Sequence, residues 1–145
     1  MASFDHQKSI LSPIRKAWLL DSGCFNHICR DRQMFSDDFD ASFSTMVRLS
    51  NNTRMRVAGK GSVKVIANGS CYLFSDVYYV PGIINNLLSV GQLQEKGVMF
   101  SFKDGMFIVF HPQRGKIASL KMSTNRMYIL QTDGNATNED VCFEC

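Results

Sequence analysis

Apolar positions in this chain come in short runs broken by glycine, asparagine and aspartate, which is the pattern of strands rather than of helices. Ala-Trp-Leu-Leu at 17–20 reads as a buried strand. The segment 43–50, Phe-Ser-Thr-Met-Val-Arg-Leu-Ser, alternates toward its end, and Asn51-Asn52-Thr53 turns the chain. Arg54-Met-Arg-Val-Ala-Gly and Ser62-Val-Lys-Val-Ile-Ala alternate with period two, joined at Gly59-Lys60-Gly61. Asn68-Gly69-Ser70 predicts a hairpin turn into the strand 71–80, which Pro81 stops. The stretch 85–97 differs: Leu87, Leu88 and Leu93 could share one apolar face, with Gly97 as C-cap, so a short helix is expected near Asn86 to Lys96. Strand runs then return at 98–102, 106–110, 115–122 and 126–130, the first two joined by the hairpin signal Asp104-Gly105. Many short strands at roughly 8–12-residue spacing predict an all-β fold, a barrel or sandwich with one short helix.

With 145 residues, 45% hydrophobic and 20% charged, the chain is long enough for one domain with a core and is not a disordered composition. Residues 1–16 read as a polar linker, 17–131 as the domain, and 132–145 as a polar tail. No apolar run approaches the length of a membrane span, and the first residues lack the apolar core of a signal peptide. The expected setting is therefore cytoplasmic, with no membrane partner. A net charge of +3 is too small to argue for nucleic acid, so no direct nucleic-acid contact is expected. Arg48, Arg54, Arg56, Lys60 and Lys64 lie along adjoining strands and could touch nucleic acid or an acidic peptide, but read first as a solvated strand face. Five cysteines, an odd number at irregular spacing, do not suggest a disulfide framework.

Chemistry concentrates at Asp21-Ser22-Gly23, where an apolar run delivers a carboxylate to a turn. Taken alone, the tripeptide is a strand end with an Asx or Ser turn, its glycine supplying an unusual backbone angle. Yet an unpaired charge at the end of a buried strand is costly. Two copies meeting across a two-fold axis could share one proton, leaving one carboxylate to activate water and the other to polarise a carbonyl. In that arrangement Ser22 could lock the loop through its hydroxyl and Gly23 would allow close backbone approach.

Four ordered segments make a more specific resemblance: Trp18-Leu-Leu-Asp-Ser-Gly-Cys with Asn26-His27, then 47–65, then 76–97, then 111–130. Together they resemble the aspartic protease region of copia-type LTR retrotransposon Gag-Pol polyproteins, over nearly all of 17–130. The resemblance implies a retroviral-type acid-protease-like β-barrel, with Asp21 as catalytic carboxylate and Ser22 and Gly23 completing its loop. It implies that Asn86, Leu87 and Leu88 brace the loop, that His27 supports it by hydrogen bonding, and that Gly59, Lys60 and Gly61 form a flap hairpin over substrate. A single Asp-Ser-Gly implies half an active site, completed in a homodimer that cleaves a polyprotein, possible within virus-like particles, with no cofactor and no metal.

Rival readings stay open at this point. Cys24, His27 and Cys29 with Cys142 and Cys145 could make a tetrahedral zinc set, or Cys142 and Cys145 could begin a truncated pre-integrase zinc region. Cys24 or Ser22 with His27 could be a nucleophile pair. Phe25 departs from the small or hydroxyl residue common there in the family, and no integrase, reverse transcriptase or RNase H sequence is present. A fragment, a processed product or a degenerate copy is thus also expected as an alternative: a non-catalytic β-barrel remnant that dimerises or binds peptide.

Overall fold

The computed structural model describes residues 17–123, 127–133, 136 and 141–145. The expected linker at 1–16 and residues 124–125 of the turn expected at 123–125 lie outside the described residues. In chain order the elements are β1 (Ala17–Asp21), β2 (Ile28–Cys29), a 3-10 turn (Arg32–Met34), β3 (Thr45–Arg48), β4 (Arg54–Val57), β5 (Lys60–Ala67) and β6 (Ser70–Tyr79). They continue with β7 (Asn86–Ser89), α1 (Val90–Glu95), β8 (Met99–Lys103), β9 (Met106–His111), β10 (Gly115–Lys121), β11 (Ile129–Gln131) and β12 (Phe143–Glu144). The fold is all-β with one short helix, as expected. The strands form a seven-stranded mixed sheet ordered β11-β1-β7-β2-β6-β12 with β5 on β6, a three-stranded sheet β10-β9-β8, and a two-stranded hairpin β3-β4. No hydrogen-bonded ring closes among the described residues.

β1 and β7 run parallel at the middle of the large sheet, with Leu19 beside Leu87, Leu20 beside Leu88 and Asp21 beside Ser89. Both faces of this pair are covered. Trp18 and Leu88 point into the main core, while Leu19 and Leu87 point into a second cluster with Cys24, Ile28, Val57, Val80 and Ile83. A strand buried on both faces reads as a continuous apolar run, which is why Asn86-Leu-Leu-Ser imitates a helix in sequence. The expected helix near Asn86 to Lys96 is therefore shorter: Asn86–Ser89 is a fully buried strand, and the helix begins only after Ser89. The turn chemistry held. Asn68-Gly69 and Asp104-Gly105 all adopt positive φ, as two-residue hairpins between right-twisted strands require.

Residues 98–130 belong to the same core as β1, because Val98, Val109, Ile117, Leu120 and Leu130 share one apolar cluster with Trp18. The end of the chain also departs from expectation. Residues 132–145 were expected as a polar tail, but β12 pairs with β6, the Cys145 N–H donates to the Leu73 carbonyl at 2.8 Å, and Cys145 is buried. A disulfide joins Cys71 to Cys142 across 71 residues of chain. Irregular cysteine spacing hides such a bond, since β6 and β12 become neighbours only through the sheet.

Candidate functional site

Asp21 ends β1 half-buried, and the turn that follows is exposed. The Gly23 N–H donates to Asp21 Oδ1 at 2.8 Å, fixing the carboxylate on its own loop. Gly23 does not adopt positive φ. Its role is proximity: a Cβ there would sit 3.3 Å from Ser50 Cβ and 3.4 Å from Asp21 Oδ1. Ser22 is exposed, and among the described residues its hydroxyl has no partner, so it does not lock the loop.

The locking is done from below, by groups the sequence did not single out. Ser89 Oγ donates to the Cys24 carbonyl at 2.6 Å and accepts from the Gln92 N–H at 3.1 Å. Gln92 Oε1 accepts from the His27 N–H at 2.9 Å, and its Nε2 donates to the Ser75 carbonyl at 2.7 Å. The Ser89 N–H donates to His27 Nδ1 at 3.0 Å. Ser89-Val90-Gly91-Gln92 is a capping-box sequence, the visible signal for these two residues. Here the box is redirected. The Gln92 side chain and the Ser89 N–H, which would satisfy each other in an isolated helix, both turn to His27.

His27 is fully buried and its ring lies 5.4 Å from that of Phe74. Burial alone lowers its pKa to about 3, so it is neutral, and acceptance at Nδ1 puts the proton on Nε2. Its Nδ1 accepts from the Ser89 N–H and its own N–H donates to Gln92, which ties the loop to the start of α1. A nucleophile pair finds no support in this geometry: the Cys24 thiol donates to the Asn26 carbonyl at 2.8 Å and its pKa is pushed up by burial, while Ser22 is exposed and His27 is buried with its Nδ1 taken by the Ser89 N–H. Asn86 Oδ1 accepts from the Arg30 N–H at 2.9 Å, holding the strand after the loop, and Leu87 packs with Cys24 in the second cluster. No group of three or more potential ligands that could hold a metal occurs among the described residues, and Cys142 is spent in the disulfide.

The expected hairpin at Gly59, Lys60 and Gly61 does not form. β4 pairs with β3, β5 pairs with β6, and Lys60 and Gly61 lie inside β5. Gly59, at φ 151°, faces the Phe39 ring, where a Cβ would collide. These glycines leave room for Phe39 against the start of β5. The hairpin that meets the Asp21 loop is β3–β4 instead. Between it and residues 23–26 lies a cleft of about 300 Å³, with Phe25, Asn26, Met46, Arg48 and Tyr78 in its lining.

This sheet, loop and cleft coincide with a sequence match. The pattern of the family described as Pol polyprotein, beta-barrel domain covers residues 18–98, more than half the chain. The chain belongs to that family. The resemblance read from the sequence, to a retrotransposon Pol polyprotein, is borne out at this level. The Pol β-barrel domain is also 37% identical over 73 residues to a putative transposon Ty5-1 protein of Saccharomyces cerevisiae, a match covering 50% of this chain and 47% of that one. The chain thus spans about half the length of the curated relative it matches. In this Pol domain the matched segment runs from Trp18 in β1 through α1, which takes in every residue placed above around Asp21.

Proposed function

We propose that this Pol β-barrel domain is one half of an aspartic endopeptidase that cleaves its polyprotein as a homodimer. The observation that carries the reading is Asp21 itself: a half-exposed carboxylate at the end of a buried strand, oriented by the N–H of Gly23, on a loop whose residues 23–26 line a cleft. The buried Ser89–His27–Gln92 network beneath it supplies the rigidity a reacting carboxylate needs. The named transposon relative and the Pol family supply the polyprotein context.

In this reading two copies of Asp21 meet across a two-fold axis and share one proton. The ionised carboxylate takes a proton from water as its oxygen attacks the scissile carbonyl carbon. The protonated one donates to the carbonyl oxygen, giving a neutral tetrahedral diol. Proton return to the nitrogen then breaks the C–N bond. The test compares wild type with Asp21→Ala on a Gag–Pol-like precursor in mild acid, with dimer content read by sedimentation. Cutting by wild type alone, in proportion to dimer, supports the proposal. A good dimer that cuts nothing overturns it.

A non-catalytic dimerisation module is the second reading, favoured by Phe25, which stands 92% exposed beside the loop. Such a ring suits an interface and narrows the cleft. Under that reading Phe25→Ala disperses the dimer, and neither form cuts.

A further inference from the structure

The β3–β4 hairpin carries a charge pattern that the chemistry at Asp21 does not use. Its register sets Thr45 opposite Val57, Met46 opposite Arg56, Val47 opposite Met55 and Arg48 opposite Arg54. Residues directly opposed share a face, and faces alternate along a strand. Val47, Met55 and Val57 therefore cover the second apolar cluster, while Met46, Arg48, Arg54 and Arg56 share the outer face. All four are exposed. Arg56 donates to Ser44 Oγ at 3.2 Å, and among the described residues neither Arg48 nor Arg54 has a side-chain partner. Like charges directly opposed across a ladder destabilise it. This hairpin keeps such a pair on a ribbon that has no third strand.

The pair is also placed. Arg48 lines the cleft beside the Asp21 loop, together with the apolar Phe25 and Met46. We infer that the outer face of β3–β4 is an anion-binding face that holds an acidic stretch of the substrate peptide, next to the apolar segment lying in the cleft. This rests on reading the cleft as a peptide site. The occupant is a peptide rather than RNA because three arginines on a short ribbon make no continuous basic track along which a nucleic-acid backbone could run. An acidic side chain accepted by Arg48 and Arg54 together would relieve the like-charge pair and gain bidentate hydrogen bonds.

The experiment uses the full chain and labelled peptides with one apolar core, flanked by Glu-Glu, Gln-Gln or Lys-Lys. Binding is followed by fluorescence anisotropy on Asp21→Asn protein, and cleavage on wild type. The Glu peptide is expected to bind at least 10-fold tighter than the Gln peptide at low salt, with most of that preference lost at high salt. Arg48→Gln combined with Arg54→Gln should abolish the preference, and Arg48→Lys should keep part of it. Equal binding of all three peptides overturns the inference, as does tighter binding of a single-stranded RNA oligonucleotide than of the Glu peptide. Cleavage of all three at equal rates also overturns it while leaving the protease reading intact. Selective binding of the Glu peptide with no cleavage upholds it while overturning the protease reading.

Discussion

Ser89 grips the loop that carries the candidate nucleophile-activating carboxylate, its Oγ donating to the Cys24 carbonyl at 2.6 Å from 65 residues away. The same oxygen caps α1 by accepting the Gln92 N–H. One hydroxyl therefore serves a buried acceptor and a buried donor, and Ser89 is itself fully buried. Ser89→Ala strands both groups. Leaving a buried polar group unsatisfied costs about 1–3 kcal/mol, so a loss on the order of 3 kcal/mol is expected. Urea unfolding checks it: the midpoint should fall with the slope unchanged. A midpoint within error of wild type would mean the network does not hold the loop.

His27 makes the fold acid-sensitive. Unfolded, its imidazole titrates near 6.5; folded, burial lowers that to about 3. Above pH 6.5 both states are neutral and the fold keeps its full stability. Below it the unfolded chain takes up the proton first, so stability is lost from pH 6.5 down to about 3. The loss is on the order of 4 kcal/mol across that window. His27→Asn keeps an acceptor for the Ser89 N–H while removing the titration. It should flatten the dependence of the urea midpoint on pH between 7 and 4. For the proposed dyad, the consequence is a narrow working range, with unfolding on the acid side and loss of the last shared proton on the alkaline side. A hydrolysis profile flat from mild acid to alkali would sink the dyad.

The parts of this molecule legible in its sequence are the local ones. Strand alternation in β5 and β6 and the Asn68-Gly69 and Asp104-Gly105 turns act over a few residues, and they read correctly. Asp21 was legible because a carboxylate after Trp-Leu-Leu is chemically odd. Leu87 and Leu88 misread as helical because burial on both faces removes the period-two signal. Gly59 and Gly61 misread as a hairpin because their sequence does not show Phe39 pressing against them. Gln92 went unnoticed since its partner His27 is distant in sequence, and the capping box that marks it also fits an ordinary helix start. The Cys71–Cys142 bond depends on β12 reaching β6, a long-range pairing no spacing rule encodes.

That disulfide gives a prediction with a sharp readout. Closing a loop of 71 residues restricts the unfolded chain and stabilises the fold by about 4 kcal/mol in the chain-entropy account. Reduction, or Cys142→Ser, should lower the Tm by roughly 10 °C. β12 would then be held by non-covalent contacts alone, its pairing with β6 and the hydrogen bond at 2.6 Å between His111 Nε2 and the Glu144 carbonyl among them, so loosening should concentrate at the end of the chain. Hydrogen exchange on oxidised and reduced protein checks this. Uniform loss of protection, including β1 and β7, would show instead that the bond holds the whole core.

Gly23 sits where the loop, the carboxylate and the β3–β4 hairpin meet. A Cβ at this position would lie 3.3 Å from Ser50 Cβ and 3.4 Å from Asp21 Oδ1, closer to Ser50 than an ordinary contact. Because Gly23 is not at positive φ, Gly23→Ala carries no backbone strain, and about 1 kcal/mol of stability is the expected cost. On the proposed mechanism, peptide hydrolysis should suffer more, by roughly 10-fold or greater, since a displacement of a few tenths of an ångström falls on the Asp21 carboxylate and the cleft wall together. Ser50→Gly added to Gly23→Ala removes the hairpin half of the crowding. Partial recovery of kcat in the double variant would show that the hairpin's seat on the loop sets the geometry of Asp21. No recovery would place the whole effect in the contact with Asp21 itself. Activity unchanged by Gly23→Ala would show that the loop and hairpin do not work as one unit.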